Sequence, residues 1–294
     1  MIPRPIGAHA PTAGGLATAL SYVDLVDAGA VQVYVSNPRA WARSSGVPEA
    51  DDAFAAGCAE RGIPAFIHAP LLVNLGSPTP ETVDRSAGAL RHALARGTRI
   101  AARGVVFHAG SAVDPALYDA ALRGLREALL PVLDEAGEAG VRLLVEPTAG
   151  GGKSLAAKVE ELGPYFDALD WHPALGVCFD TCHAWAAGHD LATRGGMAAT
   201  LDALAATVGP DRLALVHAND SRDGCGSARD RHQTIGEGTI GTAAFAELLS
   251  HPTTSGVPVV VETPSERHVG HAVDIATLKA LVKGVTRGLR RTRR

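Results

Sequence analysis

The chain has 294 residues, of which 46% are hydrophobic and 20% are charged, with a formal net charge of −4, and it can bury a large core. No run approaches the ~18 apolar residues of a membrane helix, so no membrane partner is expected. Because the start, MIPRPIGAHA, lacks the apolar core of a signal peptide, we expect a cytoplasmic protein.

Eight short runs rich in Val, Ile, Leu and Ala predict β-strands. In chain order they are IGAH (6–9), VQVYVS (31–36), IPAFIH (63–68), GVVFH (104–108), VRLLVE (141–146), LGVCFD (175–180), LALVH (213–217) and PVVVE (258–262). Continuous apolar runs are typical of parallel strands covered on both faces.

Ala- and Leu-rich segments with helical spacing separate these strands, notably residues 81–102 and 115–140. Strand alternating with helix eight times predicts a (β/α)8 barrel, or TIM barrel. No linker or composition break divides the chain, so we expect a single α/β domain over residues 1–294. The basic end, RGLRRTRR (287–294), is expected to be a solvated tail.

Seven of the eight predicted strands end in a histidine or a carboxylate. These residues are His9, His68, His108, Glu146, Asp180, His217 and Glu262. One such residue can simply mark where a buried strand reaches solvent, but Ser, Gly, Asn or Lys would serve equally well. In a parallel barrel all carboxyl ends of the strands gather on one face, where active sites of this fold lie. The sequence therefore predicts a cluster of imidazoles and carboxylates on that face.

This cluster has the composition of a metal site. Crowded carboxylates repel one another, and cations placed among them remove that cost. Histidine nitrogen with carboxylate oxygen suits Zn²⁺, with Mn²⁺ or Fe²⁺ as alternatives. Two local pairs add to the set, Asp180 with His183 in DTCH and Asp230 with His232 in RDRHQ. Bound divalent ions would also reverse the sign of the local charge at the site. A net charge of −4 therefore does not exclude a nucleic-acid partner.

The chain resembles the endonuclease IV family of apurinic/apyrimidinic (AP) endonucleases in segments that span residues 6–264 in family order. The most specific segments are DTCHAWAAGHDL and DRHQTIGEGTIG, accompanied by IGAH, FIHAPLLVNLGSP, FHAGS, VEPTAGGGKSLA and VVVETP. The resemblance implies three zinc ions held by nine residues on the barrel. These are His68, His108 and Glu146 for the first ion, Glu146 as a bridge with Asp180, His217 and Glu262 for the second, and His183, Asp230 and His232 for the third. His9 matches a family histidine outside the nine and is assigned a supporting role.

The resemblance also implies the reaction. The family hydrolyses the phosphodiester 5′ to an abasic site in double-stranded DNA and removes blocked 3′ ends, in base excision repair. Glu146, Asp180 and Glu262 would be the catalytic carboxylates, because they hold the ions. A missing base makes extrusion of the sugar easier, so recognition should depend on the DNA backbone and its deformability.

The expected DNA contacts lie on loops. SNPRAW (36–41) matches a family loop that enters the minor groove, although Ala40 stands where some relatives carry a longer polar side chain. Three of its residues match the family in type: Asn37, Arg39 and Trp41. Ordinary loop packing is the alternative for Trp41. Leu71 stands where relatives often have a tyrosine, and it can still wedge between bases. Arg231, between two ligands, is predicted to contact phosphate.

Two other functions stay open at this stage. A metal-dependent sugar isomerase or epimerase could use the same barrel, but it would have no use for His183, Asp230 and His232. A non-catalytic zinc protein that binds DNA would have a closed site, more often built from cysteine. The four cysteines show neither CxxC spacing nor the density of a disulfide scaffold, and none fits such a closed cluster. We expect them to be reduced and mostly buried; they are Cys58, Cys178, Cys182 and Cys225.

A nucleotide cofactor and a second subunit are not expected. PTAGGGKS (147–154) ends like a phosphate-binding loop, but Pro147 stands where that loop needs its first glycine. We therefore expect no nucleotide cofactor, and we expect the chain to act as a monomer.

Overall fold

Eight parallel strands form a closed barrel in the computed structural model, which describes residues 4–151, 153–265 and 269–292, the last of these with side chains only from 270 to 284. The barrel strands are β1 (Ile6–His9), β2 (Val31–Val33), β3 (Ala65–His68), β4 (Gly104–His108), β5 (Arg142–Glu146), β6 (Leu175–Asp180), β7 (Leu213–His217) and β10 (Val259–Val261). Each pairs with its neighbours along the chain, and β10 closes the ring against β1. The predicted TIM barrel is confirmed.

Helices follow the strands, and most of them cover the outside of the barrel. They are α1 (Leu16–Leu25), α2 (Pro48–Arg61), α3 (Pro80–Arg99), α4 (Tyr118–Ala139), α5 (Leu162–Ala168), α6 (Thr181–Ala186), α7 (Gly196–Val208), α8 (Thr242–Ser250) and α9 (Val269–Thr292). The two helices expected from periodicity are α3 and α4. Proline occupies the first turn of α3, and Gly140 ends α4 in a left-handed conformation. The side chains of the basic tail at 287–294 lie outside the described residues.

Two departures from the predicted strands matter for the site. The predicted strand 31–36 ends at Val33, so Tyr34 and the residues after it belong to a loop. In addition, β8 (Asp220–Ser221) and β9 (His232–Gln233) form a small antiparallel hairpin beyond the barrel rim. Neither strand has the apolar run by which the barrel strands were recognised.

The barrel strands alternate between two cores. A small cluster fills the barrel interior, and it consists of Ala30, Phe66, Val106, Leu144, Cys178, Leu215 and Val260. A much larger cluster lies between strands and helices and includes Val31, Ile67 and Val105. Because side chains alternate along a strand, the residue two places after each interior residue also faces inward. This rule directs His68, His108, Glu146, Asp180, His217 and Glu262 into the mouth of the barrel.

Candidate metal centre

Glu146 lies at the centre of the carboxyl-end face and is almost completely buried. Its Oε2 atom is 3.3 Å from Nε2 of His68 and 3.7 Å from Nε2 of His108. Its Oε1 atom is 3.0 Å from Nδ1 of His217 and 3.4 Å from Nδ1 of His183. The two oxygens therefore face different sets of imidazoles, which is the arrangement a bridging carboxylate needs.

A second group surrounds His217. Donor atoms of Glu146, Asp180, His217 and Glu262 all lie within 4.8 Å of one another. Nδ1 of His217 is 3.3 Å from Oε2 of Glu262 and 3.8 Å from Oδ2 of Asp180. These residues come from β5, β6 and β7 and from the residue directly after β10, so neighbouring strand ends supply the whole group.

A third group forms where α6 meets the β8–β9 hairpin. Asp180 caps α6 and accepts a hydrogen bond from the backbone N–H of His183 at 2.9 Å. Nδ1 of His183 lies 3.0 Å from Pro147 O, to which it can donate, so Nε2 faces the site. Asp230 Oδ2 is 3.3 Å from His183 Nε2, and its Oδ1 is 2.9 Å from His232 Nε2. Asp180, His183 and His232 also lie within 4.8 Å of one another.

Asp220, in β8, organises the segment that follows the hairpin, and this role was not foreseen from the sequence. Its carboxylate accepts hydrogen bonds from the backbone amides of Ser221, Gly236, Gly238, Ile240 and Gly241. A Cβ on Gly238 would lie 2.4 Å from Asp220 Oδ1, so glycine is required there. The sequence signal for this arrangement is an acidic residue, Asp220, followed further along the chain by the glycine-rich EGTIG (237–241). The spacing alone does not predict that the two are in contact.

In the absence of a cation, protons on histidines balance the negative charges of the carboxylates in the cluster. Burial opposes ionisation of Glu146, but the charge of His217 and its hydrogen bond hold the pKa of Glu146 well below its usual range. Burial likewise opposes protonation of His183, but Asp180 and Asp230 raise its pKa well above normal. Burial lowers the pKa of His108 to about 4, so this imidazole is neutral. Divalent cations can replace the protons on such a set.

The donor set fits divalent cations on geometric grounds as well. Nε2 of His232 is buried and has no hydrogen-bond partner among the described groups, although carboxylate oxygens lie near it. The other ring nitrogen, Nδ1, lies 3.1 Å from the backbone oxygen of Glu262, to which it can donate. A histidine held in this way presents its free nitrogen to a metal, as ligand histidines do.

Two cysteines, Cys178 and Cys182, lie beside the cluster, and this was not foreseen from the sequence. Sγ of Cys178 lies within 4.8 Å of donor atoms of Glu146 and His217, and Cys182 lies equally close to Asp230 and His232. Cys178 is two residues before Asp180 and so faces the barrel interior. Burial raises the pKa of both thiols to about 12. In the absence of a cation both thiols are therefore neutral, and a neutral thiol is a weak metal ligand. All four cysteines are free, and Cys225 is the exposed one, as expected of reduced thiols.

His9 supports Glu262. Its Nδ1 atom is 2.8 Å from Oε1 of Glu262, and its ring packs against Tyr34 with centroids 4.3 Å apart. Tyr34 also faces His68 at 5.4 Å and was not singled out from the sequence. The loop after β2 therefore forms one wall of the site.

The loop residues expected to contact DNA lie in different settings. Asn37 and Arg39 are exposed, and Asn37 Oδ1 accepts a hydrogen bond from the backbone N–H of Arg39. Leu71 is 41% exposed, and its backbone N–H donates to Pro38 O at 2.9 Å, which joins its loop to the loop 36–41. Trp41 is partly buried against the core.

Arg231 is exposed, and its guanidinium binds the carboxylate of Asp223, with Nε 2.7 Å from Oδ2. This partner was not foreseen from the sequence. Among the described residues, no helix is long and apolar enough to cross a membrane.

Comparison with known proteins defines the class first. A family model described as xylose isomerase-like TIM barrel matches residues 24–285. A crystal structure of a D-tagatose 3-epimerase-like protein has the same fold, with a TM-score of 0.75 at 18% identity over 99% of this chain and 100% of that chain.

Nearer relatives identify the family. The chain is 52% identical over 286 residues to probable endonuclease 4 of Streptomyces coelicolor, covering 96% of this chain and 97% of the relative. It is 51% identical over 283 residues to probable endonuclease 4 of Streptomyces avermitilis, covering 96% and 91%. The crystal structure of endonuclease IV from Thermus thermophilus has a TM-score of 0.80 at 34% identity, over 96% of this chain and 100% of that chain. The chain belongs to the endonuclease IV family and is a hydrolase that cleaves DNA.

Proposed function

We propose that this chain is a zinc-dependent AP endonuclease in base excision repair. It hydrolyses the phosphodiester 5′ to an abasic site in double-stranded DNA, and it removes blocked 3′ ends. The observation that carries the proposal is the convergence of histidines and carboxylates around Glu146, whose two oxygens face separate sets of imidazoles.

Three zinc ions are proposed for this cluster. His68, His108 and Glu146 would hold the first ion, Glu146, Asp180, His217 and Glu262 the second, and His183, Asp230 and His232 the third. The first two sets agree with groups of close donor atoms, and Asp230 lies within ion-pair distance of both histidines of the third. Histidine nitrogen with carboxylate oxygen is a ligand set that zinc takes readily.

When bound, the ions supply Lewis-acid stabilisation of phosphate oxygens and lower the pKa of water. The protein's own contribution is to hold the carboxylates in fixed orientations. Asn219 donates to Asp180 Oδ2 at 2.7 Å, and its own Oδ1 accepts from the backbone N–H of Glu262 at 2.8 Å. With the bond from His183 N–H to Asp180 Oδ1, these contacts fix the carboxylate of Asp180 and the backbone at Glu262. No separate lysine or histidine base is then required.

The exposed loops beside this face are proposed to bind DNA. Asn37, Arg39 and Leu71 share one surface, because Pro38 links their two loops. An exposed leucine at this place supports apolar insertion beside the flipped abasic sugar. Trp41 is proposed to brace the loop, since it packs against the core. Arg231 is proposed to leave the carboxylate of Asp223 and bind a DNA phosphate instead.

The test is incision of a duplex that carries one abasic site by the purified full chain. We expect cleavage 5′ to the site with a 3′-hydroxyl that a polymerase extends, loss of cleavage with chelator, recovery with Zn²⁺, and three ions per chain. An undamaged duplex is the control. No incision at full zinc loading, or isomerisation of a ketose instead, would overturn the proposal in favour of the sugar-enzyme alternative. Tight DNA binding without incision would favour the non-catalytic one.

A further inference from the structure

Gln32 is a fully buried polar residue in β2, the strand whose predicted end carries no histidine or carboxylate. It follows Ala30 by two residues, and Ala30 belongs to the apolar cluster inside the barrel. The same spacing separates Phe66 from His68 in β3. Strand alternation therefore turns Gln32 into the barrel mouth, at the position where the other strands present their imidazoles and carboxylates.

Both ends of the Gln32 side chain bind residues of one metal group. Its Oε1 atom lies 2.9 Å from Nε2 of His217, and its Nε2 atom lies 2.7 Å from Oε1 of Glu262. The amide nitrogen is also 3.0 Å from Nδ1 of His9, which converges on the same carboxylate oxygen. A buried amide is costly unless such bonds are made, so its presence here indicates a specific purpose.

The amide oxygen fixes the orientation of His217. Because that oxygen can only accept, Nε2 of His217 carries a hydrogen and donates it. Its Nδ1 atom then faces the carboxylates of the group, 3.0 Å from Glu146 Oε1 and 3.3 Å from Glu262 Oε2. Nδ1 is thus the nitrogen that a cation in this group can bind.

The amide nitrogen fixes the orientation of Glu262 in the same way. It occupies Oε1 of Glu262 together with His9, and Oε2 remains directed toward His217. One side chain therefore holds two neighbouring donors of the group formed by Glu146, Asp180, His217 and Glu262.

We propose that Gln32 is a positioning residue that sets the affinity of this group for its cation. The inference rests on the proposed function in one respect, that the group holds a metal ion. Loss of a partner that orients metal ligands lowers metal affinity by about 10- to 100-fold in other proteins. The same range is expected here, with the other ions unaffected.

The experiment titrates metal-free full-length chain with buffered Zn²⁺ and counts bound ions. Gln32→Met keeps the volume and removes both hydrogen bonds. We expect it to hold one ion fewer than the wild type at the lowest zinc concentration that saturates the wild type, with that ion bound about 10- to 100-fold more weakly. The matched control is Val33→Ala. Val33 is the next residue and is equally buried, but it faces the core between strands and helices. This variant should bind zinc as the wild type does.

A second variant separates orientation from folding. Gln32→Glu keeps an acceptor for His217 but replaces the donor to Glu262 with an oxygen, which the Glu262 carboxylate 2.7 Å away repels, so it should still bind the affected ion more weakly than the wild type. In Co²⁺-loaded protein, the visible absorption of one ion should change in Gln32→Met and stay unchanged in Val33→Ala. Equal zinc binding by wild type and Gln32→Met would overturn this inference alone. A wild-type chain that binds no zinc would overturn the proposed function as well.

Discussion

Replacing Glu146 by glutamine tests the bridge at the centre of the site. The substitution keeps the shape of the side chain, but it removes the negative charge and turns one oxygen into an N–H donor. In the structure one oxygen faces His68 and His108 of the first group, and the other faces His217 of the second. Either placement of the new amide group therefore directs a donor at one set of ligands, and both sets lose the charge.

The magnitude follows from that charge. The ligand nitrogens of His68, His108 and His217 lie 3.0 to 3.7 Å from the carboxylate oxygens, so cations bound there lie beside this charge. One pair of unit charges about 4 Å apart contributes about 4 kcal/mol at an effective dielectric constant of about 20. This corresponds to roughly a thousandfold in affinity, and divalent ions make the figure a lower bound. We expect Glu146→Gln to lose at least about a thousandfold in incision at limiting zinc.

The assay measures incision of an abasic duplex and zinc content on the same preparations. The matched control is Glu138→Gln, which removes the same charge from an exposed position on α4. It should cut and bind zinc as the wild type does. If Glu146→Gln cuts nearly normally with full zinc content, the bridging assignment is wrong.

Three further predictions concern the third group, the DNA loops and pH. Asp220→Asn should lower the free energy of unfolding by about 3 kcal/mol, since charged acceptors of several backbone N–H groups are lost. It should also weaken zinc binding by His232; urea unfolding and zinc counts that match the wild type would contradict this. Leu71→Ala should weaken binding to abasic duplex about tenfold through lost apolar burial, with zinc content unchanged, and unaltered binding would exclude the wedge. In metal-free protein, burial opposes protonation of His232, but the carboxylate of Asp230, 2.9 Å from its Nε2, raises its pKa to about 9. This stabilisation is complete below the unfolded pKa of about 6.5 and is lost as the pH rises through about 9. Urea unfolding of chelated protein should show that fall, and stability that is flat or rising over this range would contradict it.

Several features of the site depended on more than sequence pattern. Asp180 and His183 could be paired from the sequence, because three residues at the start of a helix are close whatever the rest of the fold does. Asp230 and His232 reach the same place only because the β8–β9 hairpin folds back over the rim. The segment after that hairpin is held against it by Asp220, whose partners lie up to 21 residues further along the chain. Spacing carries no information about such contacts.

Gln32 shows the same limit from inside a strand. The expected site residues were histidines and carboxylates at the ends of predicted strands, and VQVYVS ends at Ser36. The strand stops earlier, at Val33, so the inward polar position is Gln32. Likewise, the attachment of Arg231 to Asp223 and the nearness of Cys178 to His217 follow from loop shape and barrel closure.

The sequence by itself determined the barrel and the residues at the ends of its strands. Apolar runs and helical spacing are local, and parallel strands in a closed ring must bring their carboxyl ends to one face. Only the tertiary structure decided which oxygens of Glu146 face which imidazoles, and which groups orient His217 and Glu262. Those distances depend on strand register and on loops that close over the face, and both are set by packing across the whole barrel rather than by neighbours along the chain.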